Sequence, residues 1–314
     1  MRVTAVDSHR SMTGVEIITS GRPTRSPREM LSGYLSLTKP RIIELLLITT
    51  VPPMIVAADG WPPLSLVAAT LAGGALAAGG AGAINCYFDR DIDEIMPRTA
   101  RRPLPTHKVA PGHALAFGIA LGVAAGVLLA VTVNLLSAAL SIAALLFYVF
   151  VYTVGLKRWT PQNIVIGGAA GAVPALVGWS AVTGTIELPA VAMFGIVFYW
   201  TPPHFWALAM RYEHEYAKAG VPMMPVVYGK AETAKQILLY SLLLFAMSLV
   251  FFSVGRMGWL YLATALGLGG VFIALAVRLW RRPEAAVAWD LFRYSITYLA
   301  LLFAAMAADR LISP

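Results

Sequence analysis

Residues 64–93 read LSLVAATLAGGALAAGGAGAINCYFDRDID. No charge falls between Leu64 and Ala83, a stretch long enough to cross the hydrocarbon core of a bilayer as a helix. Polar side chains then arrive together. Asn85, Asp89 and Asp93 stand four apart, and on a helix that spacing stacks three oxygen-bearing groups on one face. Carboxylates stacked where a membrane helix ends repel one another unless a cation sits among them. Mg²⁺ suits the position, because it is hard, prefers oxygen, and is usually held by one or two carboxylates together with substrate phosphates. Asparagine adds a neutral oxygen at little electrostatic cost. The plainer reading is a solvated acidic helix end facing headgroups. A second polar cluster further along weighs against it, since acids near membrane depth are functional by default.

Working outward, the chain has 314 residues, 58% hydrophobic and 13% charged, with a mean hydropathy of +0.71. That composition excludes a soluble globule and implies an all-α, polytopic membrane protein. The single cysteine, Cys86, excludes a disulfide framework and a multi-cysteine metal site. Apolar runs of spanning length fall at about 42–58, 64–87, 110–132, 134–155, 162–182, 188–210, 236–254, 257–280 and 291–312. The third and fourth are divided at Asn134, since one run of that length exceeds a single span. Nine helices place the termini on opposite sides. Threading the chain this way puts all 24 Lys and Arg except Arg256 and Arg310 on one side. By the positive-inside rule that side is cytoplasmic, with the N-terminus there and the C-terminus outside. The net charge of +8 is therefore a matter of topology, and no nucleic acid is implied. Residues 1–35 are polar, lack a secretory h-region, and read as a disordered cytoplasmic tail preceding a membrane domain over 36–314.

The polar residues concentrate at the cytoplasmic loops, and Glu44, one turn into the first span, is the charge lying deepest. After the first acids come Arg98, Arg101 and Arg102. Arg98 and Arg102 suit phosphate oxygens through guanidinium geometry, although positive-inside topology alone accounts for basic residues here. The second acidic loop runs Arg211-Tyr212-Glu213-His214-Glu215-Tyr216. Arg211 and Glu215 are four apart, which lets Glu215 reach a metal while Arg211 neutralises it or holds phosphate. An ordinary surface pair has the same spacing. Lys157, at a cytoplasmic helix end, can neutralise diphosphate as a point charge or simply set topology. Thr201-Pro202-Pro203-His204 is expected to break or kink the sixth span. His204 is then either a buried, hydrogen-bonded histidine or an iron ligand. Glycines at 73, 74, 79, 80, 82, 167, 168 and 171 let helices approach closely or leave room for a cavity, and sequence does not distinguish the two.

Two acid-bearing cytoplasmic loops, after the second and sixth of nine spans, resemble the UbiA superfamily of intramembrane prenyltransferases. Further stretches narrow the resemblance to the branch that farnesylates protohaem IX: Leu37-Thr38-Lys39-Pro40-Arg41, Met96-Pro97-Arg98-Thr99, Tyr152-Thr153 with Leu156-Lys157-Arg158, Thr201 to Trp206, and Ala219-Gly220-Val221-Pro222-Met223. It covers residues from about 36 to 230, with the stretches in order. It implies a helical bundle around a central cavity, in an integral membrane protein expected in a bacterial cell membrane. It implies that Asn85, Asp89 and Asp93 hold diphosphate through Mg²⁺ and that the second loop, at Glu215, completes the metal site; Arg98, Arg102, Lys157 and Arg211 are the candidate cations for diphosphate. Tyr152 and other aromatics would steady an allylic cation, while His204 and Trp206 would meet haem. The implied partners are farnesyl diphosphate, protohaem IX, membrane lipid and a downstream haem-modifying enzyme. The sequence departs from the pattern where His214-Glu215 replaces paired acids. A quinone precursor as acceptor, or a small-molecule or lipid transporter, are the alternative functions. A transporter predicts inverted repeats or broken midplane helices.

Overall fold

The structure is a computed structural model that describes residues 26–40, 43 and 48–312; among these the chain is helical, with no strand. Helix α1 (Pro27–Leu37) begins within residues 1–35, which the sequence suggested were a disordered tail, and ends just past them. Its start explains the difference. Ser26 Oγ accepts from Glu29 N and the Glu29 carboxylate accepts from Ser26 N, a reciprocal cap with Pro27 in the first turn. The first expected span is seen only in part, as α2 (Val51–Ala58); Glu44 falls outside the described residues.

The other expected spans coincide with long helices: α3 (Leu64–Phe88), α5 (Pro111–Thr132), α6 (Leu135–Trp159), α7 (Asn163–Thr183), α8 (Leu188–Arg211), α10 (Met224–Val254), α11 (Trp259–Arg281) and α12 (Ala285–Ile312). Short α4 (Arg90–Ile95) and α9 (Glu213–Lys218) follow α3 and α8. Among the described residues seven helices are long and apolar enough to cross a membrane: α3, α5, α6, α7, α10, α11 and α12. Against nine expected spans, the first is described only in part, and α8, at 24 residues, is outside the seven. The protein is an integral, multi-pass membrane protein.

Asn134 divides α5 from α6 as its position suggested. Its side chain accepts from Ser137 N at 2.8 Å, capping α6, and donates to Ser180 O on α7 at 2.7 Å. Pro202 and Pro203 do not break α8, which continues through them to Arg211. α10 starts well before the span expected at 236, since its polar first turns are also helical, with a bend at Gly229 (φ 75°).

α3 packs along α5, α5 on α6, α6 on α7 and α7 on α8. α8 then meets α10 and α12, α11 fills in beside both, and α2 bridges α7 and α12. The largest cluster of buried apolar residues lies mainly among α8, α10, α11 and α12, around Met193, Trp206, Phe272, Tyr298 and Phe303. The loops gather in two sets. At one end Arg158 bonds Asp91 and Phe88 O, and Arg98 bonds the Tyr216 hydroxyl. At the other, Arg310 reaches Asp59 and Gly255 O, while Asp309 accepts from Gly258 N and Tyr261 N at the start of α11. Loops assigned to opposite sides by their charge thus lie at opposite ends.

Candidate active site

α3 delivers the first acidic cluster. Backbone bonds continue past its end, from Asp89 N to Asn85 O at 2.9 Å and from Asp93 N to Asp89 O at 2.8 Å, so α4 prolongs the same face. Asn85, Asp89 and Asp93 are buried, none more than 2% exposed. Each is met by a cation of the protein. Lys157 Nζ lies 2.5 Å from Asp89 Oδ2, and Arg102 Nη1 lies 2.8 Å from both Asp93 oxygens. Lys39 Nζ donates to Asn85 Oδ1 at 2.5 Å. The cation that the stacked acids require is therefore supplied from three other segments. Asp89 Oδ1 is left buried and unpartnered.

The orientation of Asn85 follows from its neighbours. Its amide nitrogen donates to Asp89 Oδ2 at 2.8 Å and to Thr153 Oγ1 at 3.0 Å, which turns its oxygen toward Lys39. Thr153 in turn donates to Tyr148 O at 2.9 Å, five residues back. That reach matches the π-helical winding of α6 from Phe147 to Leu156, a form that recurs at functional sites. Lys39 is itself unusual: it occupies the left-handed region (φ 54°), which non-glycine residues rarely adopt. Burial pulls its ammonium below the usual lysine range, a cost that an anion nearby would relieve. On the exposed side of the loop, the hydrogen bond from the Arg158 guanidinium holds Asp91 down to about 2.

The second loop is arranged differently. The helix breaks at Tyr212 (φ −107°, ψ 22°), so Arg211 and Glu215 do not form the pair their spacing suggested. Arg211 lies exposed over the Trp289 ring, 4.5 Å from its centroid. Glu215 buries Oε2 without a partner. His214 is exposed, and Glu213 pairs with Lys230 at 3.2 Å. Arg98 joins the loops, donating to the Tyr216 hydroxyl at 3.0 Å with its guanidinium over the Tyr212 ring. Among the described residues no three His, Cys, Asp or Glu gather as a metal cluster.

Behind the polar cluster is a cavity of about 290 Å³ between α3, α6, α7 and α8, walled mostly by apolar side chains, with glycine and alanine along α3 and α7. Lys39, Tyr148 and Tyr152 line it, so the cluster and the cavity meet at Lys39. Trp200 and Phe205 line the α8 side. His204 and Trp206 are not among its lining residues. His204 stacks between Trp200 and Phe292, with Nδ1 2.7 Å from Ser295 Oγ; the fully buried Trp206 sets its ring edge-on to Tyr240. The sequence therefore names Asn85, Asp89, Asp93, Lys157 and Arg102 for a cluster that the fold assembles, and Tyr152 for the cavity wall. It assigned no role to Lys39 or Thr153. Thr153 stands four residues before Lys157 and shares its face, the one signal that could have found it.

Residues 46–304 match the UbiA prenyltransferase family. The chain belongs to that family. It is 53% identical to protoheme IX farnesyltransferase 1 of Saccharopolyspora erythraea, over 91% of this chain and 92% of the relative. It is 49% identical to the protoheme IX farnesyltransferase of Streptomyces coelicolor, over 98% and 99%. The chain spans about half the length of the relatives of the same name from Roseiflexus sp. and Chloroflexus aurantiacus, at 50% and 52% identity. Among solved structures it is similar in fold, at 19% identity, to one concerned with digeranylgeranylglyceryl phosphate synthase in membranes (TM-score 0.76, covering 90% of this chain and 99% of that one). At the same identity it is similar to a UbiA homolog from Archaeoglobus fulgidus bound to GPP and Mg²⁺ (TM-score 0.63, 87% and 99%).

Proposed function

We propose that this UbiA-family chain transfers the farnesyl group of farnesyl diphosphate to a vinyl group of protohaem IX, with addition of water, in a bacterial cell membrane and with its N-terminus cytoplasmic. One observation carries the chemistry: a buried Asn-Asp-Asp face, ringed by Lys39, Lys157 and Arg102, abuts an apolar cavity at Lys39. A prenyl diphosphate has that same division between a charged head and a hydrocarbon tail. The names of the full-length relatives supply donor and acceptor.

The residues fit a divalent cation. Asp89 Oδ1 and Glu215 Oε2 are buried and uncommitted, and Mg²⁺ asks for only one or two carboxylates when phosphate oxygens complete its shell. Asp89, Asp93, Asn85 and Glu215 would hold it. When bound it supplies charge stabilisation to the departing diphosphate. The chain's own cations act on the same charge: Lys39, Lys157 and Arg102 are positioned to shift from their carboxylate and amide partners onto diphosphate oxygens as these arrive. Arg98, held by Tyr216, is placed to bring the second loop to the head group. As the C1–O bond of the donor breaks, the terminal vinyl carbon of haem bonds to C1. The cation left beside the porphyrin takes up water and releases a proton. Tyr148 and Tyr152, with ring centroids 5.2 Å apart on the cavity wall, offer π faces to the allylic cation. The small apolar residues keep water from quenching it early.

The test is direct. Purified protein given protohaem IX, farnesyl diphosphate and Mg²⁺ should yield a haem heavier by one farnesyl and one hydroxyl group, and EDTA should stop the reaction. Prenylation of a quinone precursor in place of haem would reassign the acceptor; no prenyl transfer to any acceptor would overturn the reading.

A further inference from the structure

The glycines of α3 and α7 are of two kinds. At Gly73, Gly80, Gly167 and Gly168 an added Cβ would run into protein, at 2.4 Å from Leu129, 2.7 Å from Gly118 O, 2.3 Å from Tyr152 and 2.8 Å from Thr201. Those glycines serve packing. Gly74 and Gly171 are different: among the described residues nothing lies within 4 Å of an added Cβ at either, and both line the cavity. Glycine inside a helix is less favourable than alanine, so these two gain nothing from packing to offset that cost. What they preserve is open space inside the cavity.

The cavity's length shows what the space is for. Its lining residues run from Gly82 down to Thr70 on α3, from Tyr152 to Ser141 on α6, and from Ile164 to Val177 on α7. At 1.5 Å per residue these three walls are roughly 16–20 Å long. Below them the space closes. Thr50 O lies so near α7 that a Cβ at Gly178 would sit 2.3 Å from it, and Met54, Val67 and Ala181 form a packed apolar cluster. A zigzag chain advances about 1.2 Å per bond. The eight-, twelve- and sixteen-carbon main chains of geranyl, farnesyl and geranylgeranyl groups therefore reach roughly 9, 14 and 19 Å. With the diphosphate at Asn85 and Asp89, C1 enters near Gly82. Gly74 then lies about 12 Å down α3, and Gly171 about 10 Å down α7 from Ile164. A ten-carbon tail stops above both, the last isoprene unit of a fifteen-carbon tail passes between them, and a twenty-carbon tail meets the floor.

We infer that Gly74 and Gly171 set the donor chain length, holding open the space for the third isoprene unit. This rests on the prenyl-transfer reading above and adds to it the residues that select a fifteen-carbon donor. The test is Gly74→Leu and, independently, Gly171→Leu, each compared with the parent protein on geranyl and farnesyl diphosphate. Both substitutions place a helix-favouring side chain in open space, so folding should survive, and a monodisperse elution profile checks it. The ratio of kcat/KM for the fifteen-carbon over the ten-carbon donor should fall at least about tenfold in each variant, the scale of a methylene-sized misfit. Binding of geranyl and farnesyl S-thiolodiphosphates, measured by calorimetry, should show the same change in ratio. An unchanged ratio in folded variants, or equal losses on both donors, overturns the gauge. If the parent transfers no farnesyl group to protohaem, the functional reading fails; the binding ratio still decides the gauge by itself.

Discussion

Between Asn85 and Arg102 each buried carboxylate faces a cation of the protein; between Arg211 and Pro225 Glu213 makes a partly exposed pair with Lys230, and Glu215 buries an oxygen that nothing meets. As sequence the two segments look alike, acids following an apolar span. In the first, Lys157 and Arg102 neutralise both buried acids and leave only Asp89 Oδ1 unpartnered, so the loop can be buried without ligand. The second keeps an oxygen uncommitted, a cost that is recovered when a cation arrives. The contrast is one of charge balance: the acids of the first loop are paired with protein cations, and Glu215 of the second is not.

The comparison breaks most readily at the first loop. Asp89→Ala and Asp93→Ala should each lower prenyl transfer by ~10²-fold or more while the protein still inserts and elutes normally. Near-normal rates in both would remove the first loop from the site. Lys157→Met comes next. It strips Asp89 of its partner, and breaking a buried pair costs about 3–5 kcal/mol. The melting temperature should fall, and Mg²⁺ should restore more of it than in the parent, because binding to the folded state stabilises it. A Mg²⁺ response equal to the parent's would separate Lys157 from the metal site. At the second loop, Glu215→Gln should raise the Mg²⁺ concentration needed for half-activation by roughly tenfold, the effect of one weakened charged contact. His214→Ala should change it little, since that side chain is exposed. If His214→Ala proves the more damaging, the contrast drawn here has been assigned to the wrong neighbour. The smallest effect belongs to the solvated pair beside the first loop. Asp91→Asn removes the Arg158 partner and should cost no more than about 1 kcal/mol, less at high salt. Equal losses in dilute and concentrated salt would show that the pair is not screened.

His204 sharpens the same comparison from outside the two loops. Sequence left it between packing and iron ligation, and the fold provides Ser295 and two stacked rings as its neighbours. His204→Ala should lower the melting temperature and leave the absorption spectrum of added haem unaltered. A changed spectrum in a folded variant would return the imidazole to the iron.

How much could be read in advance depends on the distance over which each signal acts. Hydropathy located the long helices from α3 onward, seven of them apolar enough to span, because a bilayer asks only for length and apolar content along one segment. The spacing of Asn85, Asp89 and Asp93 survived for the same reason: a helix repeats locally, and the backbone bonds that keep the three on one face lie within that stretch. Arg211 and Glu215 had an equally good spacing, yet a single non-helical residue, Tyr212, undid it. The helical cap at Ser26 was legible in principle and was lost in the polarity of its surroundings.

By itself, then, the sequence determined an all-helical membrane protein, the ends at which its loops gather, and one acidic face poised at a helix terminus. Tertiary structure alone decided which cations meet that face. Lys39 stands 46 residues before Asn85, and Lys157 stands 68 after Asp89. It also decided that α6 winds as a π-helix to aim Thr153 at Asn85, and that Gly167 packs while Gly171 leaves room. The physical reason is common to all of these. Periodicity and hydropathy are properties of a single segment, whereas charge pairing and cavity shape exist only between segments, once packing has fixed what each side chain faces.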